Sequence, residues 1–351
     1  MSAIFILVFL CVLFVDRTRG GDRDLARCAS QGDPPTLCNS YVDWDCKMFI
    51  SELKSFADLY RHRPNVHNQH GMGVNHAFSL WFVLKKLKPS HVIESGVLKG
   101  QGTWLIRQTI GSSAKIYSID PRTPSSSMFV DKNPNTTYYM GADFKDFSQI
   151  AWASLIPSKI DRENTLVILD DHMSSIKRLQ QAILHGFTNL WYDDNWKYGK
   201  VDVYSFNTLC SPRDSSMDQI LYLDNFGTTR VNISTNEHNK NVEYLQSVLE
   251  SYYEFPPIYN YCDDFYKKVT KGRSCLKKEE MERFWYDDLK SKSSYIGIDF
   301  ISFFPPYVKV KKEASNILMD GTTPYKFRNQ ATKTAGANLD TGAFEITLSS
   351  N

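Results

Sequence analysis

The chain has 351 residues, 42% of them hydrophobic and 23% charged, with a formal net charge of +2. That composition fits a globular protein of one or two domains with a large core, and it excludes a disordered chain. The near-neutral balance, without a basic run of five or more residues, leaves no electrostatic footprint for nucleic acid, so none is expected as a partner.

Ala3–Val15 is an unbroken apolar run of 13 residues. A membrane span takes about 20 residues, so the run fits the apolar region of a signal peptide instead. Thr18 and Gly20 supply the small residues before a cut after Gly20. The expectation is a signal peptide over 1–20, with an uncleaved signal anchor as the rival. After cleavage the chain is secreted or lumenal and has no stable membrane span. Cys28, Cys38, Cys46, Cys210, Cys262 and Cys275 remain, an even number expected to pair in an oxidising compartment. No C-x-x-C occurs, which argues against a zinc ribbon. Asn135-Thr-Thr137 and Asn232-Ile-Ser234 are glycosylation sequons, a weak further sign of export.

Residues 21–90 read as an N-terminal Cys-bearing and helical segment. Phe49, Leu53, Phe56 and Leu59 share one stripe of a helix over Lys47–Tyr60. A His-, Asn- and Gly-rich loop spans Asn65–Gly73 and holds His67 and His70, with His76 close by. Asn75 is expected to cap a helix that runs to Leu87 and stops at Lys88-Pro89. Residues 91–312 then read as an α/β domain. Strands are expected at His91 onward, Lys115–Asp120, Tyr138–Met140, Thr165–Leu169 and Asn189–Tyr192, with helices at about Phe147–Leu155 and Ser174–Gly186. This alternation implies a doubly wound, mostly parallel sheet covered on both faces, a Rossmann-like fold. An insertion is expected at about 196–300, with a helix over Leu245–Tyr253. Ile301–Phe304 and Tyr307–Val310 read as late strands, the second with the alternation of an edge strand. Residues 313–351 are polar and aperiodic and read as a flexible tail.

Chemistry concentrates at the strand ends. Glu94-Ser-Gly96 closes the first strand, Gly100 and Gly102 follow, and Asp120 closes the second. Gly96 and Gly100 allow a sharp turn and close approach to a ligand, while Asp120 is placed to accept from ribose hydroxyls. The glycine spacing is not the G-x-G-x-x-G of a dinucleotide site, and Glu94 in the turn would repel a pyrophosphate. A ligand without phosphates, carrying a cationic centre and a ribose, fits better: S-adenosylmethionine. Asp170-Asp-His172 and Asp193-Asp-Asn195 close the fourth and fifth strands. Carboxylates and an amide oxygen brought together there suit Mg2+ or Ca2+ rather than zinc. The alternative is that these acids serve as helix caps and solvated turns. His172 is the natural general base.

The run Glu94-Ser-Gly-Val-Leu-Lys-Gly-Gln-Gly-Thr-Trp104 resembles the first motif of class I S-adenosylmethionine-dependent methyltransferases, in particular the small metal-dependent catechol and caffeoyl-type O-methyltransferases. The resemblance covers about residues 91–195. It implies that Glu94, Gly96 and Gly100 hold the methionine part of the cofactor and Asp120 its ribose. Gly141, Ala142 and Asp143 would lie by the adenine. Asp170 or Asp171, with Asp194 and Asn195, would hold the metal, and Asp171 and His172 would serve catalysis. The strand ends also look like uncharacterised methyltransferase-like proteins and, distantly, cephalosporin-hydroxylase-type proteins. Two features depart from the catechol-type pattern. Its lysine base falls here on Met173 or Ser174, so His172 or Lys177 must substitute, and the chain beyond residue 196 is longer and unlike that family. The expected function is O-methylation of a glycan or other small-molecule hydroxyl. A metal-dependent hydroxylase-like enzyme and a catalytically silent secreted binding module are the alternatives.

Overall fold

The computed structural model describes residues 42–65, 71–195, 204–210, 219–224, 229–255 and 305–315. The signal segment, Cys28, Cys38, Cys262, Cys275, His67, His70, the expected strand Ile301–Phe304 and nearly all of the tail lie outside the described residues. No helix among the described residues is long and apolar enough to cross a membrane.

Helix α1 (Cys46–Tyr60) begins where the Asp45 carboxylate accepts from the Met48 amide at 2.9 Å. Helix α2 (Val74–Leu87) follows Gly73, two residues earlier than an Asn75 cap would place it, and ends at a left-handed Lys88 just before Pro89. Then come β1 (His91–Ser95), α3 (Gln101–Ile110), β2 (Lys115–Asp120) and β3 (Thr136–Met140). The single helix expected over 147–155 is instead a 3-10 turn, Phe147–Gln149, and a one-turn α4 (Trp152–Leu155). The break at Ile150 and Ala151 lets Phe147 and Trp152 both reach the core, their rings 5.7 Å apart.

Helix α5 (Lys159–Glu163), β4 (Leu166–Leu169), α6 (Ser175–Leu184) and β5 (Asn189–Tyr192) complete the first run. Beyond it lie α7 (Phe206–Cys210), an antiparallel pair β6 (Gln219–Asp224) and β7 (Thr229–Ser234), α8 (Thr235–Val248), β8 (Leu249–Glu254) and β9 (Pro306–Val310). The main sheet has the order β3-β2-β1-β4-β5-β9-β8. Its first five strands are parallel, and β9 runs antiparallel to both neighbours. This is a doubly wound, mostly parallel, Rossmann-like fold.

Two expectations change here. Strand β9 is interior, not an edge: Tyr307, Val308 and Val310 are buried, and Lys309 sends its ammonium to Asn189 Oδ1 at 2.9 Å. The helix expected over Leu245–Tyr253 is the last turn of α8 followed by β8, because pairing with β9 outweighs the local helical spacing. Strand β8, inside the stretch read as an insertion, is therefore part of the main sheet.

Alternation along the strands builds two cores. Val92, Leu166, Ile168 and Trp191 pack under α1, α2 and α3. Ile93, Val167, Leu190 and Tyr192 face Trp152, α6 and α8. Truncating a fully buried aromatic such as Phe82 or Phe187 to alanine is expected to cost about 3–5 kcal/mol. This packing on both faces holds the strand ends, and so the site, in place.

Candidate active site

Strands β1 and β4 are neighbours in the sheet, while the chain leaves β1 for β2 on the other side. A crevice opens at such a switch point, outside the carboxyl ends of the strands. Gly96, at φ +99°, makes the closest junction: a Cβ there would lie 1.7 Å from the Asp170 carbonyl oxygen. A Cβ on Gly100 would meet the Phe129 carbonyl at 2.1 Å. The close approach expected there for a ligand is thus used by the chain's own 121–135 loop, whose Phe129 amide donates to Lys99 O at 2.9 Å. Gly102 leaves room for the Glu94 carboxylate, which a Cβ would approach to 2.3 Å. The crevice is lined by Met72, Glu94, Gly96, Lys99, Gln101 and Asp170, among others.

Glu94 is buried, and its Oε2 accepts from Thr103 Oγ1 at 2.5 Å and Ser118 Oγ at 2.8 Å. Burial pushes its pKa up to about 7 against the pull of those two hydroxyls. Asp120 is also buried but fully served. Its Oδ2 accepts from the Val97 and Leu98 amides, each at 3.0 Å, and from Arg122 Nη2 at 2.8 Å. Its Oδ1 accepts from the Arg122 amide and Nε, both at 2.9 Å. Burial alone would raise this carboxyl, yet the Arg122 and backbone donors hold it below the usual range. Gly141, Ala142 and Asp143 form a 3-10 turn at the end of β3. Gly141 packs by Thr123 of the loop that follows Asp120.

Among the described residues, Asp170, Asp193 and Asp194 form the group able to hold a metal, with one oxygen of each within 4.8 Å of the others. Burial first, and the facing Asp193 and Asp194 next, push Asp170 well above the usual carboxylate range. The expected set also named Asp171 and Asn195; Asp171 is not part of this group of acids. Successive side chains at a strand end point to opposite sides, and Asp171 turns away from Asp170. It accepts from Ser95 Oγ at 2.5 Å and from Arg178 Nε at 2.9 Å, and the fully buried Arg178 also binds Asp146. Asn195 faces the far edge of the sheet, accepting from the Asn207 amide at 2.9 Å and donating to Tyr252 OH at 3.3 Å.

Asp193 stands in the group where Asp171 was expected. Its Oδ1 lies 2.6 Å from Nδ1 of His76, a buried residue of α2. Sequence reasoning noted His76 only within a loose histidine group. The signal that could have found it is an inward-facing histidine on an otherwise apolar helix. His172 stands at the rim in a left-handed conformation (φ +51°), half-exposed, with Nδ1 3.6 Å from Asp194 Oδ2. Lys177 lies in the first turn of α6. Three carboxylates make a hard oxygen donor set, which fits Mg2+. On the cofactor side, Glu94 and Gly96 fit a cationic ligand, whereas a ribose at Asp120 meets Arg122.

No protein-family model matches the chain. No curated protein matches it. Among solved structures it is similar to a candidate O-methyltransferase from Klebsiella pneumoniae, at 13% identity over 56% of this chain and 77% of that one, with a TM-score of 0.28. It is also similar to a cyclopropane-fatty-acyl-phospholipid synthase-like protein from Lactobacillus casei, at 10% identity over 74% of this chain and 97% of that one, with a TM-score of 0.31. Both scores are below 0.5, and the chain's function has to be read from its own strand ends.

Proposed function

We propose that the chain is an S-adenosylmethionine-dependent O-methyltransferase assisted by a divalent ion such as Mg2+. One observation carries this reading: Asp170 both lines the Gly96 crevice and belongs to the three-acid group. Cofactor crevice and metal group thus share a wall. When bound, the cofactor supplies an electrophilic methyl on a sulfonium, and the ion supplies Lewis acidity toward an acceptor hydroxyl.

The chain's residues do the rest. Gly96 and Glu94 receive the cationic methionine end of the cofactor. Glu94 titrates near neutrality, so a cation beside it favours its ionised form. Asp170, Asp193 and Asp194 hold the ion, and His76 steadies Asp193. His172, at the rim with Nδ1 turned toward Asp194, takes the acceptor's proton. Holding acceptor and methyl in line is the main source of rate, as proximity and orientation supply most of the barrier reduction in such transfers. The acceptor class is a hydroxyl on a glycan or other small molecule, met in the secretory pathway or outside the cell, in keeping with the apolar run at 3–15.

Calorimetry on the full chain tests this. S-Adenosylhomocysteine should bind with or without Mg2+, and Asp194→Ala should abolish the Mg2+ heat while leaving the S-adenosylhomocysteine affinity nearly intact. No binding of S-adenosylhomocysteine by the folded chain sinks the reading.

A further inference from the structure

The position expected to receive a ribose is held by the chain itself. Asp120 has five donors on its two oxygens. Three are backbone amides of Val97, Leu98 and Arg122, part of the turns that shape the crevice. The other two belong to one flexible group, the Arg122 guanidinium, through Nε and Nη2. Two neighbouring N–H groups pointing side by side at a carboxylate form the same pattern as the two O–H groups of a vicinal diol. Pro121 between the two residues restricts the backbone and favours this return of Arg122 onto the strand-ending acid.

Exposure separates the partners. The Asp120 side chain is 1% exposed and that of Arg122 is 58% exposed. The guanidinium is therefore what stands between this carboxylate and solvent. It can swing outward without disturbing the core. If a diol replaces it, Asp120 keeps its three amides and regains two donors, so no buried acceptor is left unmet.

We infer that Arg122 is an internal competitor for the vicinal diol of a nucleoside, occupying Asp120 until a ribose displaces it and thereby setting the site's affinity for ligands that carry the diol. The inference rests on the nucleoside-cofactor reading above. It assigns Arg122 a specificity-determining role at the crevice and predicts that the chain binds its nucleoside more weakly than its donor set allows.

The test is calorimetry on the full chain with adenosine, 2′,3′-dideoxyadenosine and S-adenosylhomocysteine, comparing wild type with Arg122→Ala and Arg122→Lys. Displacing a half-exposed, charge-assisted pair is modest, so Arg122→Ala should bind adenosine and S-adenosylhomocysteine about three- to tenfold more tightly. Its affinity for dideoxyadenosine should not change. Arg122→Lys, with a point charge but no fork, should fall between. Thermal melting confirms that each variant is folded. Unchanged or weaker adenosine binding in Arg122→Ala overturns the inference and leaves the methyltransferase reading standing, provided wild type binds S-adenosylhomocysteine. A gain that extends equally to dideoxyadenosine also overturns it, because the diol then plays no part. If neither protein binds any of the three ligands, both readings fall together.

Discussion

At the ends of β1 and β2, Glu94 and Asp120 are each met by donors from the chain: Thr103 and Ser118 for one, Val97, Leu98 and Arg122 for the other. At the ends of β4 and β5, Asp170, Asp193 and Asp194 also face one another, with His76 against Asp193 and His172 near Asp194. Buried carboxylates in the first half are satisfied by folding. The three partly buried acids of the second half repel one another, and a cation from outside is the natural remedy. One sheet edge therefore carries a pre-organised hydrogen-bonding site beside an electrostatically loaded one. Asp171 sharpens the contrast: it belongs to the second half by position, yet Ser95 and Arg178 treat it as the first half treats its acids.

The largest expected effect breaks that exception. Arg178→Ala leaves Asp171 and Asp146 without their shared buried cation, and urea denaturation should show a loss of about 3–5 kcal/mol. A loss under about 1 kcal/mol, the range of a surface pair, would mean that Asp171 is not held as described.

A smaller effect probes Glu94. Its folded pKa is raised to about 7, so the folded chain holds the proton more tightly than the unfolded one. The associated stability is fully present below the ordinary carboxylate pKa and is lost as pH rises through about 7. The upward shift is worth about 3 kcal/mol across that window. Asp120 and Asp146, with lowered pKa values, act with the opposite sign and only at the acid end. Stability measured from pH 5 to 8 should therefore fall less steeply in Glu94→Gln than in wild type. An identical slope in both would show that Glu94 ionises freely.

The smallest effect tests the second half directly. Asp170→Asn removes the acid whose ionisation burial and the two facing carboxylates oppose, so the metal-free protein should gain about 1 kcal/mol while losing the thermal shift that Mg2+ confers on wild type. Metal-free destabilisation with a preserved Mg2+ shift would reverse the comparison. Equal behaviour of Asp170→Asn and Asp120→Asn would erase it.

The parallel strands and the glycine turn were legible because period-two burial and the Gly96 junction are properties of short runs of sequence. Which acid of each pair faces the crevice was not. Asp170 and Asp171 are chemically identical, and only the pleat at the end of β4, with Arg178 seven residues on, sends them to opposite sides. Asp193 was noted among the strand-end acids but passed over for Asp194 as the named ligand for the same reason, and because its partner His76 lies 117 residues away. Strand β9 was misplaced because Lys309 and Lys311 mimic an edge pattern. Its environment is set by β5 and β8, which no local window contains. Arg122 was within reach: an arginine two residues after a strand-ending aspartate can fold back onto it.

His76 has a consequence for how the chain can be divided. A cut at residue 90 falls neatly before β1 and keeps every described strand, so it looks like a safe place to trim. It would remove α1 and α2, bare the sheet face formed by Val92, Ile116 and Leu166, and take away the imidazole against Asp193 and the Met72 wall of the crevice. The N-terminal helices are thus masonry of the same room as the acids. A recombinant fragment, a natural splice form or a protease product starting at β1 should lose the ion-binding corner together with its solubility.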